Sequence, residues 1–187
     1  MSGHNTYTPG PAHGARVQKD GEKWVLVLVR DLRHAPEKVW DALTDPAHLS
    51  AWAPFDADRS LAAVGPVQLS TAGAPTPQVS ETLVTRAEAP RLLEYSWGGN
   101  DLRWELEPLG TGTRLTLWHN IDRRFISWGA AGWHICFDVL DRLLTGEPMG
   151  RIVGADALKF GGWQELNTTY AAQFGVDSPG WTPGPKS

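Results

Sequence analysis

The sequence predicts one α+β domain in which an antiparallel sheet wraps around a long helix near the C-terminus, with Trp133 on that helix. Three observations lead there. The length of 187 residues suits a single domain. Between residues 79 and 119, apolar and polar side chains alternate and short turns interrupt them, which is the period of strands. From about Ser127 the period becomes helical: Trp133, Cys136, Phe137, Leu140, Leu143 and Leu144 fall on one stripe.

Taken in order, residues 1–22 read as a flexible leader, because Pro9, Gly10, Pro11 and Gly14 interrupt any period. Trp24 to Val29 is apolar on both parities and β-branched, as a strand well inside a sheet would be. Pro36 at a first helical position, followed by Val39, Trp40 and Leu43, predicts a short helix. Asp45-Pro46 caps and opens a second helix through Leu49 and Trp52, which Pro54 stops. Leu61–Val64 and Val67–Leu69, flanking Gly65-Pro66, read as a hairpin.

Four strands of a meander follow. Val79, Glu81, Leu83, Thr85 and Ala87 share one face of the first; Leu93, Tyr95 and Trp97 share a face of the second. Leu102, Trp104 and Leu106 alternate with charged residues in the third. In the fourth, Leu115, Leu117 and His119 point one way and Trp118 the other, where it is expected to pack under the added C-terminal helix. The long helix spans about 28 Å if it runs from Ser127 to Thr145, where Gly146 stops it. Gly129 and Gly132 weaken its first turns or let something approach the backbone closely. After a Gly-rich connection, Trp163, Leu166, Tyr170 and Phe174 mark an added helix. The domain is therefore expected over 23–175, with 147–175 as an added segment and 176–187 as a flexible tail.

Composition excludes several classes of function. Net charge is −4 and no stretch concentrates Lys and Arg, so nucleic acid and anionic membranes are not expected partners. No apolar run approaches a membrane span and no secretory signal is visible, so a cytoplasmic protein is expected. The single cysteine, Cys136, excludes an intramolecular disulfide. There is no phosphate loop, dinucleotide fingerprint or nucleophile elbow, and no cofactor is expected. His134, Cys136 and Asp138 do not make a metal site, because Cys136 points away from the helix face that carries the other two.

The run Ala35-Pro-Glu-Lys-Val-Trp-Asp-Ala-Leu-Thr-Asp-Pro46, then Leu49 and Trp52, resembles the opening of activator of Hsp90 ATPase homologue 1-like domains. Leu93-Glu-Tyr-Ser-Trp97, Trp104-Glu-Leu-Glu-Pro108, Gly112-Thr-Arg-Leu-Thr-Leu117 with His119, and Gly132-Trp133-His134 continue the resemblance in order. That family belongs to the START/Bet v 1-like (SRPBCC) superfamily and its helix-grip fold. The resemblance implies a cavity between curved sheet and long helix that accepts a hydrophobic small molecule. It does not imply one reaction, since members of the superfamily bind lipids, hormones or polyketides and a few catalyse cyclisation. The namesake chaperone co-factor carries a further N-terminal domain that is not expected here, so Hsp90 activation is not the expected role.

Parity then picks candidate residues. Tyr95, Trp97 and Trp104 point inward, Trp52 approaches from the short helices, and Trp133 and Phe137 face them from the long helix. His119 ends an inward apolar row, where a polar group needs a partner; it is either a hydrogen-bonded rim histidine or a group that orients or protonates a ligand. Glu81 is expected inward by the same parity, either salt-bridged at the mouth or acting as a base. The expected function is binding of a small hydrophobic or aromatic molecule. The alternatives are a cyclase- or aromatase-like enzyme using His119 or Glu81, and a homodimeric or chaperone-related interaction module built on the added helix.

Overall fold

The structure, a computed structural model, describes residues 7, 9, 11–20, 23–73, 76, 78–158 and 161–176. Six strands form the main antiparallel sheet: β1 (Ala15–Asp20), β2 (Lys23–Leu32), β9 (Gly112–Asn120), β8 (Asn100–Leu109), β7 (Leu92–Trp97) and β6 (Arg86–Glu88), in that spatial order. A second sheet holds β3 (Phe55–Ala57), β4 (Gly65–Thr71) and β5 (Gln78–Val84). It abuts β7, where Thr85 N–H donates to the Glu94 carbonyl at 3.0 Å and Ser96 N–H donates to Thr82 Oγ1 at 3.1 Å. The helices are α1 (Pro36–Thr44), α2 (Pro46–Trp52), the long α3 (Ile126–Thr145), α4 (Ala155–Leu158) and α5 (Gly161–Phe174).

Local sequence explains most of these elements. The Asp45 side chain accepts from Ala47 N–H at 2.8 Å and Pro46 stands at the first position of α2, so cap and proline start that helix together. Gly146, at a φ of 89°, ends α3, and its N–H bonds back to the last turn. The meander has the expected register, with Leu93 opposite Trp104, Trp104 opposite Leu117 and Leu102 opposite His119.

The long helix is covered on two sides. Phe137 and Leu140 join the core beneath the sheet, while α5 lies against the other side through Trp163, Leu166 and Tyr170. Two polar bonds cross that helix pair: Ser127 Oγ donates to Asn167 Oδ1 at 2.7 Å, and His134 Nδ1 shares a bond of 2.7 Å with the Tyr170 hydroxyl. Leu140 is wholly buried; truncating such a residue to Ala costs about 2–5 kcal/mol, because the cavity left behind adds to the lost transfer energy.

Four expectations need correction. Within the expected leader, Ala15–Asp20 forms β1 on the edge of β2; its Arg16, Gln18 and Lys19 hide the strand period. Residues 1–6, 8, 10, 21 and 22 of that leader, and 177–187 of the expected tail, lie outside the described residues. No hairpin forms at Gly65-Pro66: β4 runs through it, and 61–64 is a loop. Arg59 organises that loop by donating to the carbonyls of Ser60, Ala63, Gly65 and Pro66, a role that no hydrophobic pattern reveals.

The expected strand over 79–87 is two strands in two sheets, broken at Thr85. Its inward face carries Ser80, Thr82 and Val84, while Val79 and Leu83 are 59% and 52% exposed. The parity is reversed because Thr82 turns inward to bond the Ser96 hydroxyl at 2.7 Å. Trp118 does stand on the outer face, but under the Arg103 guanidinium, 5.4 Å from its ring centre, and not under α5. Among the described residues, no helix is long and apolar enough to cross a membrane.

Candidate functional site

A cavity of about 340 Å³ opens between the end of the sheet and the first half of α3. Trp97 ends β7 and His119 stands near the end of β9, so the meander sets both on one side. From α3 come Trp128, Gly129, Gly132, Trp133 and Cys136. Gly129, Gly132, Trp133 and Cys136 follow the spacing i, i+3, i+4, i+7 and share one helix face. Of the two glycines, Gly132 leaves open space on that face and Gly129 admits Ile121. A Cβ at Gly132 would meet nothing within 4 Å, whereas one at Gly129 would meet Ile121 Cδ1 at 2.9 Å. Phe125, 46% exposed, stands at the rim.

The added segment closes the remaining side. Ile152, Val153, Ala157 and Trp163 all line the cavity. This segment is fastened in two places. Arg151 Nη1 donates to Asp56 Oδ1 of β3 at 2.7 Å, and the backbones of Gly154 and Gly73 meet so closely that a Cβ on Gly154 would lie 2.5 Å from the Gly73 carbonyl oxygen. With a φ of 59° at Gly154, only glycine suits that position.

The aromatic rings lock one another by edge and face. The Trp97 ring stacks on His119 at 6.1 Å between centres and 28°, and Trp133 meets His119 edge-on at 6.0 Å. Trp128 meets Trp163 edge-on at 5.7 Å. Trp97 Nε1 donates to Thr71 Oγ1 at 3.1 Å, which ties the wall to β4. Trp133 Nε1 donates to His119 Nδ1 at 3.0 Å.

An indole N–H can only donate, so His119 Nδ1 must be the bare nitrogen of a neutral ring whose proton sits on Nε2. Burial pushes the His119 pKa down to about 4, in agreement with that neutral state. Its Nε2 is buried without a hydrogen-bond partner, as is Trp128 Nε1. The Cys136 thiol, which burial pushes up to about 12, stays protonated.

Of the residues that parity selects, the structure brings Trp97, His119 and Trp133 together on this cavity. Trp52, Tyr95, Trp104 and Phe137 are instead packed solidly below it. Trp104 Nε1 donates to the Tyr95 hydroxyl at 3.1 Å, Trp52 Nε1 donates to the Ala42 carbonyl at 2.9 Å, and Phe137 lies 6.0 Å from Trp104. Parity reports the face of a strand and not the depth along it, so core and cavity wall look alike in sequence. Glu81 is exposed on the outer face of β5 and does not border the cavity, because the strand's parity is reversed. Trp128, Trp163, Ile152 and Val153 are lining residues that sequence reasoning missed; the glycine pair on the apolar stripe was the available signal.

A larger groove of about 990 Å³ crosses the outer face of the sheet, where Lys19, Glu94, Asp101 and Arg103 stand among Val25, Leu83 and Trp118, a mixed and charged lining unlike the apolar wall of the smaller cavity. Among the described residues, no group of three or more His, Cys, Asp or Glu side chains is placed to hold a metal ion.

Comparison with known proteins agrees with this architecture. The family model described as polyketide cyclase / dehydrase and lipid transport matches residues 23–157, more than half of the chain. Among solved structures, the Bordetella parapertussis protein BPP1335 is similar over 91% of this chain and 93% of its own, at 25% identity and a TM-score of 0.61. CalU16 of Micromonospora echinospora matches with 22% identity and a TM-score of 0.60, over 85% of this chain and 93% of its own. EF2215 of Enterococcus faecalis, described as a conserved protein of unknown function, matches with 15% identity and a TM-score of 0.66, over 85% of this chain and 89% of its own. No functionally curated protein matches the chain.

Proposed function

Because the chain belongs to the polyketide cyclase/dehydrase and lipid transport family, we propose that it binds a compact, hydrophobic, ring-bearing small molecule in the cavity between β7, β9 and α3. The observation that carries this reading is the hollow itself: Gly132 leaves open space on a helix face otherwise walled by Trp97, Trp133 and Trp163. A core residue at that position would fill the space and gain about 1 kcal/mol of helix propensity over glycine. A volume of about 340 Å³ lies at the small end of ligand sites and suits a fused-ring compound rather than a long acyl chain. Within the family, we place the chain nearest the activator of Hsp90 ATPase homologue type, on the strength of Ala35–Pro46 in α1 and α2 and of Gly132-Trp133-His134.

Binding is favoured over cyclase-type turnover. A general base needs a free lone pair and a pKa near the working pH. His119 spends its lone pair on Trp133 and has a pKa of about 4. Glu81 lies on the outer face. The added helix spends Trp163, Leu166 and Tyr170 on its own chain, which leaves the interaction-module reading without its apolar face.

Native mass spectrometry of the protein purified from its host tests the proposal. The expected result is a co-purifying small molecule that the Gly132→Leu variant lacks. A wild-type protein that carries nothing, and that no fused-ring compound binds on titration, would sink it.

A further inference from the structure

Resting on the cavity reading above, the donor pattern of the wall assigns the chemical class of the occupant. Two polar atoms of the lining residues are buried and unpartnered, His119 Nε2 and Trp128 Nε1. Both are donors. Trp128 can be nothing else, and His119 is made one because its Nδ1 accepts from Trp133. A buried donor without an acceptor carries a desolvation cost that a ligand acceptor would remove. Among the described residues, the side chains that line the cavity include no Lys, Arg, Asp or Glu. An anionic ligand would therefore be buried without a counter-charge, and a cationic one without a carboxylate.

We propose that the natural ligand is a neutral fused-ring compound carrying two carbonyl-type acceptors, one received by His119 Nε2–H and one by Trp128 Nε1–H. Fatty acids and aryl carboxylates, which present a charge, are selected against. Trp133 acts as a positioning residue in this scheme: by occupying Nδ1 it fixes the tautomer of His119 and so the donor that the ligand meets.

The test is calorimetric titration with four probes of one ring frame. Indane, 1-indanone and N-methylphthalimide carry none, one and two carbonyls, and indane-1-carboxylate carries a charge. Affinity is expected to rise along the first three, by about tenfold per carbonyl, as befits one hydrogen bond each, with the carboxylate below 1-indanone. Two variants remove the donors singly. His119→Asn keeps an amide oxygen near Nδ1 for Trp133 but withdraws the Nε2 donor, and Trp128→Phe keeps a ring without its N–H. Each should weaken N-methylphthalimide by about tenfold more than it weakens indane.

Indane binding as tightly as N-methylphthalimide, or the carboxylate binding tightest, overturns the assignment while leaving the cavity as a ring site. Equal losses for indane and N-methylphthalimide in both variants overturn it as well, since the donors would then act only through packing. Binding of none of the four contradicts the cavity reading itself, and this inference with it.

Discussion

His119 and His134 are two buried histidines with the same pKa of about 4 and opposite surroundings. Each has Nδ1 bonded to an aromatic partner, Trp133 for one and Tyr170 for the other. Around His119 the groups are apolar rings and open space. Around His134 lies a polar cluster: Asp138 Oδ2 at 3.6 Å from Nε2, with Asp138 also paired to Arg30 at 2.5 Å and accepting from the Tyr7 hydroxyl. The Tyr170 hydroxyl in turn donates to the His13 carbonyl at 3.2 Å. The Nε2 of each ring lacks a hydrogen-bond partner, but that of His134 faces the Asp138 carboxylate in a cluster that joins sheet, α3 and α5, whereas His119 lies among aromatic rings at the cavity. A low pKa and an unpartnered Nε2 therefore do not mark function by themselves; the open cavity beside His119 and the charged cluster around His134 separate the two roles.

Breaking the polar cluster should have the largest effect. Asp138→Ala leaves Arg30, only 14% exposed, without its carboxylate. Removing one partner of a largely buried pair costs about 3 kcal/mol or more, read as a lower urea midpoint. Probe affinity of the remaining folded protein should stay unchanged. A loss of affinity as large as the loss of stability would erase the distinction between the two regions.

Acid sharpens the comparison from the other direction. Both rings are neutral when folded, with values near 4, and would take up a proton near 6.5 once unfolded. The unfolded chain thus binds more protons between those values. Stability is whole above pH 6.5 and declines as pH falls to about 4, where the folded rings charge too. Each histidine contributes on the order of 3 kcal/mol to that decline, and His119→Asn or His134→Phe should flatten the urea-derived profile by one proton's share. An unchanged slope in His119→Asn would mean that its ring is not held neutral.

The smallest effect belongs to the hollow. Gly132→Ala should stabilise α3 by about 1 kcal/mol through helix propensity, since its Cβ meets nothing. Probe affinity should fall by only a few-fold, because one methyl removes little of the space. Thermal melting and titration check both; destabilisation would show that the space is already filled.

How far these features were legible depends on what each needs. The stripe on α3 and the register of β7 to β9 follow from periodicity alone, and with them the inward faces of Trp97, His119 and Trp133. The depth of Trp104 and Phe137 below the cavity depends on how far the sheet curls, which no period encodes. Glu81 was misplaced because a polar inward face, Ser80 and Thr82, looks like an outward one. β1 was hidden by its polar edge composition. The closure of the cavity by Ile152, Val153 and Trp163 depends on a glycine-to-glycine contact between residues 73 and 154, two positions far apart in sequence with no apolar signal. Gly129 and Gly132 were visible, and their place on an apolar stripe was the clue to a hollow.

The indole N–H resonances of the ten tryptophans offer the most direct test of the central claim. Four of them, Trp97, Trp128, Trp133 and Trp163, line the cavity, and Trp118 stands in the outer groove. Titrating 15N-labelled protein with 1-indanone should shift those four signals and leave Trp52, Trp104 and Trp118 in place. Shifts confined to Trp118, or no shift at any indole, would contradict the account.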